Sequence, residues 1–231
     1  MEELNEVVQD AKSLTTAANN HTASATEERI NPDDIQGLTA AIADTTSKNK
    51  LQQDAVQAVS DLTNTQNKTM ERALALIRKT QATAKGAYGE ENKQIMKEFH
   101  VGSQTITTVK GMMSELKYMK GVAQKRLTDL TGAGLKQTDV DAFDTIAADL
   151  DDIDGRQENA KKKQKGATQV RDESMDTLRK LMKKIRNKAK VIFQNKPAIL
   201  TEFEPIPIKR SGKKQEPVTP ATTAATAEKA K

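Results

Sequence analysis

Apolar residues return every three or four positions along most of this chain, which is the spacing of one buried face on an α-helix. The pattern predicts six helices, over about residues 2–28, 33–46, 49–88, 103–131, 139–152 and 156–193. The last of these carries a heptad-like seam typical of a coiled coil. Its residues are Leu178, Leu181, Ile185, Ala189 and Ile192. Aromatic residues make up only 3% of the chain, which argues against a β-sandwich or barrel. We therefore predict an all-α fold.

Capping residues mark several of the predicted helix ends. Asn31 stands before Pro32, so it is placed to cap the helix that follows. Thr138 and Asp141 have the spacing of a capping box at the start of the helix over 139–152. The glycines of the run Thr131-Gly132-Ala133-Gly134 can supply the left-handed residue that ends a helix.

The chain is similar to itself at a shift of 105 residues. At this shift Leu14 aligns with Met119, and Tyr88 aligns with Phe193. At a shift of 104, residues 95–99 (Ile-Met-Lys-Glu-Phe) align with residues 199–203 (Ile-Leu-Thr-Glu-Phe). Recurrence at a fixed period indicates an internal repeat. We predict two related helical repeats, residues 1–100 and 101–205, packed together as one elongated bundle.

The character of the sequence changes near its end. Prolines at positions 205, 207, 217 and 220 interrupt a stretch that is rich in Thr, Ala and Lys. Such a composition buries too little apolar surface to offset the entropy of ordering the chain. We predict that residues 206–231 form a disordered tail.

The composition leaves little material for a catalytic or metal site. The chain has no Cys and two His, His21 and His100, and neither lies in a Glu-x-x-His motif of the di-iron bundles. The run Asp149–Gly155 partly matches a calcium loop, but positions one and twelve are Leu150 and Lys161. No phosphate loop or dinucleotide fingerprint occurs. We predict no catalytic residues, no metal, no cofactor and no small-molecule substrate, and therefore no enzyme.

Charge is distributed unevenly along the second half of the chain. Residues 139–154 carry seven Asp and no base, whereas residues 156–196 carry 14 Lys and Arg and four acids. One interpretation is that two oppositely charged neighbouring helices neutralise each other. The other is a nucleic-acid surface that contacts phosphates. Its contact residues would be Arg179, Lys180, Lys183, Lys184, Arg186 and Lys190.

Two features together resemble a class of bacterial tandem-repeat helical-bundle proteins that are uncharacterised. They are Asp34-Ile35 with Asp139-Val140 near short helices, and the Ile-x-x-Glu-Phe motifs at residues 95–99 and 199–203. The resemblance covers about residues 1–205 and implies the repeated helical fold. It brings no activity, ligand or catalytic residue.

The favoured function is that of a non-enzymatic structural or protein-interaction bundle, within a larger assembly, that binds other protein chains or itself. The alternatives are a nucleic-acid-binding protein using the basic helix over 156–196, and a structural component of a virion or particle. No signal peptide or membrane-spanning run is visible in the sequence, so we expect a cytoplasmic protein with no membrane partner.

Overall fold

The computed structural model describes residues 2–21, 30–103 and 106–206 of the 231-residue chain. Within these ranges the protein forms seven helices and no strand, which confirms the all-α prediction. The helices are α1 (Glu2–Asn20), α2 (Pro32–Tyr88), α3 (Lys93–Glu98), α4 (Val109–Lys125), α5 (Leu127–Gly132), α6 (Gln137–Ile192) and α7 (Pro197–Glu202). Apart from Ile206, the tail predicted over 206–231 lies outside the described residues. No helix in these ranges is both long and apolar enough to cross a membrane.

Two pairs of helices that the sequence pattern separates are continuous in the structure. The predicted helices 33–46 and 49–88 form the single helix α2, and 139–152 and 156–193 form α6. The break predicted near Ser47 contains neither Pro nor Gly. The break predicted near Gly155 contains one glycine, which costs a helix only about 1 kcal/mol relative to Ala. Nothing local therefore interrupts either helix.

The helix ends follow the predicted chemistry in two places and depart from it in one. The Asn31 side chain accepts a hydrogen bond from the backbone N–H of Asp33 at 2.9 Å, as a cap should. Gly134 ends α5 with a φ of 103°, which is the predicted left-handed conformation. The capping box predicted at Thr138 is wrong. Helix α6 begins earlier, and Asp139 accepts instead from the backbone N–H of Lys136 at 2.9 Å.

The chain folds into two compact units, which are Met1–Ile35 with Met182–Lys231 (unit 1) and Gln36–Leu181 (unit 2). The predicted repeats 1–100 and 101–205 follow a different division. Each unit takes residues from both of them. Unit 1 contains α1, the start of α2, the end of α6 and α7. Unit 2 contains the rest of α2 and α6 together with α3, α4 and α5.

The core of unit 2 is a helical bundle in which α3, α4 and α5 cover one end of the long helices. Helix α2 contributes residues from Ala73 to Ala84, and α6 contributes residues from Val140 to Leu150. Phe99, which follows α3, and Leu116 of α4 are fully buried in the same cluster. Helix α4 lies within the helix predicted over 103–131, but it begins at Val109 and the chain breaks at Arg126 between α4 and α5.

In unit 2, α2 and α6 run antiparallel in one register. Near one end, the hydroxyls of Thr45 and Ser174 lie 2.9 Å apart. Toward the other end, the Lys79 ammonium donates to Asp139 at 2.7 Å. Residue numbers therefore rise along α2 as they fall along α6, and no slip in register separates the two contacts.

Three residues of the seam predicted on α6, Leu178, Ile185 and Ala189, are fully buried, and at the other two positions the next residue is buried instead. Leu181 and Ile192 are only partly buried, whereas Met182 and Phe193 are buried at 4% and 3% exposure. A straight helix has 3.6 residues per turn, so a stripe at strict steps of three and four drifts around the helix surface. The residue that faces the core then changes to its neighbour.

Candidate functional site

The middle of the long helices in unit 2 has almost no core. Along residues 46–68 of α2 no side chain is buried, and along residues 154–173 of α6 the one buried side chain is Gln157. The core cluster of unit 2 begins at Ala73 on α2 and ends at Leu150 on α6. We call residues 46–68 and 154–173 the two-helix segment.

The two-helix segment carries three of the exposed large apolar side chains of the described chain. Leu51 is 55% exposed, Val56 is 40% exposed and Val170 is 43% exposed. Isolated exposed apolar residues are ordinary. Here they lie on a pair of helices whose other apolar side chains are at most partly buried or small, so these three side chains face solvent. None of these residues was predicted as a site residue, although Val56 and Val59 are both apolar positions one helical turn apart in α2.

Polar contacts join α2 and α6 in and beside the two-helix segment. The Gln157 amide donates to the Thr63 hydroxyl at 2.8 Å. Just outside the segment, the Ser174 hydroxyl donates to the carboxylate of Asp44 at 2.6 Å and lies 2.9 Å from the Thr45 hydroxyl. Polar groups at such positions favour one register, because a shifted pairing leaves them without partners.

The six basic residues predicted for nucleic-acid contact all lie on α6 but are divided between the two units. Arg179 and Lys180 belong to unit 2, and the other four belong to unit 1. Arg179 lies 3.6 Å from Asp176 one helical turn away, so its charge is partly compensated. Lys180 makes no ion pair with another described residue, and its side chain is exposed.

In unit 1, two of the four basic residues are held in ion pairs. Lys184 donates to the buried carboxylate of Asp34 at 2.7 Å, and Lys188, which was not among the predicted contacts, donates to the same carboxylate. Arg186 contacts Asp10 at 2.6 Å. These three bases have acidic partners inside their own unit. The other two predicted contacts, Lys183 and Lys190, make no ion pair with another described residue.

The charges of unit 1 nearly balance. Its described residues carry seven Lys and Arg and eight Asp and Glu. A surface that binds phosphates needs a net positive potential. The basic run of α6 therefore lies beside acids that the sequence places far away, such as Asp10 and Asp34.

Several contacts in unit 1 have a counterpart in unit 2 at positions 105 residues away. In unit 1 the carboxylate of Asp34 binds Lys184, and in unit 2 that of Asp139 binds Lys79, both at 2.7 Å. The ammonium groups hydrogen-bond to these carboxylates and lower the pKa of both Asp34 and Asp139.

A second contact recurs beside the Glu-Phe motifs. His21 lies 3.0 Å from Glu202 in unit 1, and Arg126 lies 2.8 Å from Glu98 in unit 2. The aromatic rings beside His21 and Arg126 also stand at matching positions. The His21 ring lies 5.4 Å from the Phe193 ring, and the Arg126 guanidinium lies 5.5 Å from the ring of Tyr88, the position 105 residues before Phe193.

A third contact recurs at the carbonyl of the phenylalanine. In unit 1 the Arg186 Nε donates to the Phe203 carbonyl at 2.9 Å. In unit 2 the Gln81 Nε2 donates to the Phe99 carbonyl at 3.0 Å. Position 81 is 105 residues before 186, so the donor to this carbonyl is Gln in unit 2 and Arg in unit 1.

A cavity of about 150 Å³ lies beside Gln81 in unit 2. Its polar lining includes the Gln81 amide and the Glu115 carboxylate, and its apolar wall includes Ile77 and Ile106. Glu115 is 12% exposed, and both of its oxygens lie within 3.1 Å of the His100 Nδ1. Neither Gln81 nor Glu115 was predicted as a site residue, since no short motif contains them.

Among the described residues, no group of three or more His, Asp or Glu is placed to hold a metal ion. Comparison of the chain with protein-family models, curated proteins and solved structures finds no match.

Proposed function

We propose that this protein is a non-enzymatic helical module, built from two related repeats, that binds other protein chains or further copies of itself through the two-helix segment. The observation that carries this proposal is the missing core of that segment. Two helices run together over about 20 residues with one buried side chain, while Leu51, Val56 and Val170 are exposed.

Packing energetics support a helical partner. A helix buries its apolar stripe against a neighbour, and amphipathic helices from a partner recognise such surfaces by contacts at steps of three and four. A third helix laid along the two-helix segment would remove part of this exposed apolar surface from water. Each fully buried Val or Leu side chain contributes about 1.5–3 kcal/mol relative to the exposed state. The segment is thus suited to join the protein to a larger assembly.

The recurring contacts support the two related repeats. Three kinds of interaction in unit 1 have counterparts in unit 2 at a shift of 104 or 105 residues. In this interpretation each unit combines α1 or α4 with the start of one long helix, the end of the other and a short Glu-Phe helix. The two repeats then exchange helices, so that neither unit forms from one repeat alone.

Cleavage of the chain between the repeats tests this exchange. A protease site placed between Gly102 and Ser103 would divide the intact, folded protein into two fragments. Because each unit contains helices from both sides of the cut, the fragments should elute together on a sizing column and separate only in denaturant. Fragments that separate in native buffer would contradict the exchange.

The interaction surface is tested by light scattering coupled to size exclusion, over a range of protein concentrations. We expect a mass above that of one chain for the wild type, or a stable complex with a helical partner recovered from the native host. The double variant Leu51→Glu with Val170→Glu should lose this association. Charge on an apolar contact must be desolvated, which makes the bound state unfavourable.

A matched control separates a specific surface from general stickiness. Val191 is 72% exposed and lies outside the two-helix segment, so Val191→Glu should leave the association unchanged. A wild-type chain that stays monomeric at every concentration, and whose captured partners are the same for both variants, would contradict the proposal.

The nucleic-acid alternative has less support from the geometry. Its predicted contacts Lys184 and Arg186 are engaged by Asp34 and Asp10, and the described residues of unit 1 carry one more acid than base. It is a separate proposal, and its test is a direct measurement of DNA binding at different salt concentrations.

A further inference from the structure

The cavity beside Gln81 is lined by two residues whose counterparts in unit 1 are an arginine and the acid that it contacts. In Gln and in Arg, the terminal Nε2 and the Nε stand the same number of bonds from Cα. Gln81 Nε2 and Arg186 Nε both donate to the carbonyl of the phenylalanine in their unit. Beyond its Nε, Arg186 carries the rest of its guanidinium, and one of those amino groups contacts Asp10 at 2.6 Å. Gln81 has no such extension.

The acid that Arg186 binds also has a counterpart in unit 2. Glu115 stands 105 residues after Asp10, on α4 where Asp10 is on α1. Gln81 and Glu115 both line the 150 Å³ cavity, whereas their counterparts Arg186 and Asp10 contact each other directly in unit 1. This volume is several times the roughly 30 Å³ that a water molecule occupies in the liquid.

We propose that this cavity binds a guanidinium group supplied by another molecule. The carboxylate of Glu115 would accept its hydrogen bonds, as Asp10 accepts those of Arg186. An ionised carboxylate has about four acceptor positions, so the contact with His100 leaves capacity for a second donor. Ile77 and Ile106 would contact the apolar part of the ligand.

A guanidinium group could come from free arginine or from an arginine side chain of a partner protein, and Arg78 helps to distinguish these sources. Arg78 lines the same cavity and makes no ion pair with another described residue. It would attract the carboxylate of free arginine, which an arginine inside a peptide lacks. The inference rests on the correspondence of positions 105 residues apart that supports the proposed repeats.

The test uses the full-length chain and three probes: ethylguanidinium, free arginine and a capped tripeptide with a central arginine. Binding is measured by saturation-transfer NMR and by the rise in Tm with probe concentration. We expect millimolar binding at one site for at least one arginine-bearing probe. Preference for free arginine that disappears in Arg78→Ala assigns a free ligand, and equal or tighter binding of the peptide assigns a protein partner.

Two variants serve as controls. Gln81→Arg supplies the chain's own guanidinium to Glu115, so it should raise the Tm and weaken probe binding at least tenfold. Glu115→Gln removes the negative charge and should weaken binding to the same extent while Gln81 is retained. Identical probe responses from the wild type and both variants would overturn the proposal.

A reciprocal variant tests the same geometry in unit 1. Arg186→Gln removes the guanidinium from Asp10, so its Tm should fall, and ethylguanidinium should recover part of the loss. No recovery, together with no binding to the wild type, would overturn the inference. Co-elution of the cleaved repeats in the same preparation would show that the exchange of helices is intact. Failure of the guanidinium site can therefore be distinguished from failure of the proposed exchange.

Discussion

Truncation of Phe99 is the most direct measure of how the unit 2 bundle is held together. Phe99 follows α3 and is fully buried in the cluster that joins α2, α4 and α6. Its backbone carbonyl accepts a hydrogen bond from Gln81, which fixes the turn that carries the ring. The variant Phe99→Ala therefore removes a large side chain from a site whose backbone is held in place.

The expected cost follows from this rigidity. A buried Phe→Ala change costs about 3–5 kcal/mol, which combines the lost transfer free energy with the cavity that remains. For a chain of this size, each 1 kcal/mol lowers the Tm by roughly 2–4 °C, so we expect a fall of roughly 6–20 °C. Phe203 is 3% exposed and stands 104 residues later, so Phe203→Ala should cost a similar amount.

Urea unfolding followed by far-UV circular dichroism measures both losses. Val191→Ala is the control, since this side chain is 72% exposed and its truncation should change stability by less than about 0.5 kcal/mol. A loss below about 1 kcal/mol for Phe99→Ala would refute the core assignment. A large loss at Phe99 with none at Phe203 would refute the equivalence of the two positions.

Three further outcomes can be measured. The ammonium groups of Lys184 and Lys188 lower the pKa of Asp34. Its carboxylate therefore stabilises the folded state above the unfolded pKa of about 3.9, and this contribution is lost as the pH falls through the lower folded pKa. The difference in stability between wild type and Asp34→Asn should be largest near neutral pH and should close below about pH 4. Thr63→Val should cost about 1–3 kcal/mol in urea unfolding because Gln157 loses its acceptor. The double variant Thr63→Val with Gln157→Leu replaces both partners by apolar side chains of similar shape and should be nearly neutral or stabilising, so equal losses from the two variants would contradict this reasoning. Fluorescence anisotropy with labelled duplex DNA between about 50 and 200 mM salt should detect no specific binding, and salt-sensitive binding that Lys180→Glu with Lys183→Glu abolishes would favour the nucleic-acid alternative instead.

The chemistry of the helix ends could be predicted from the sequence because it acts over a few residues. Asn31 caps α2 through its side-chain oxygen, and Gly134 ends α5 because a residue without Cβ adopts a positive φ readily. The same local rule fails at Thr138, where Asp139 caps from a neighbouring position. Apolar periodicity is also local, so it predicted the fold class and the presence of the long helices.

Contacts between distant residues depended on the tertiary structure. The basic residues of α6 form one positive run in the sequence, yet Lys184 and Lys188 bind Asp34 and Arg186 binds Asp10. These acids stand at least 150 positions earlier. The spacing of charges along one helix does not specify which acid another helix brings opposite them.

The candidate sites could not be predicted from the sequence for the same reason. Gln81 and Glu115 border one cavity because α2 and α4 pack together, and neither residue belongs to a motif. The exposure of Leu51 and Val170 likewise follows from where the other helices of unit 2 end, and not from any property of these residues. The sequence determined which faces of the helices are apolar, because a side chain's polarity and its position on a helix are local properties. Only packing decided which of those faces are covered, because covering a face requires a second helix, and the position of that helix is set by contacts along its whole length.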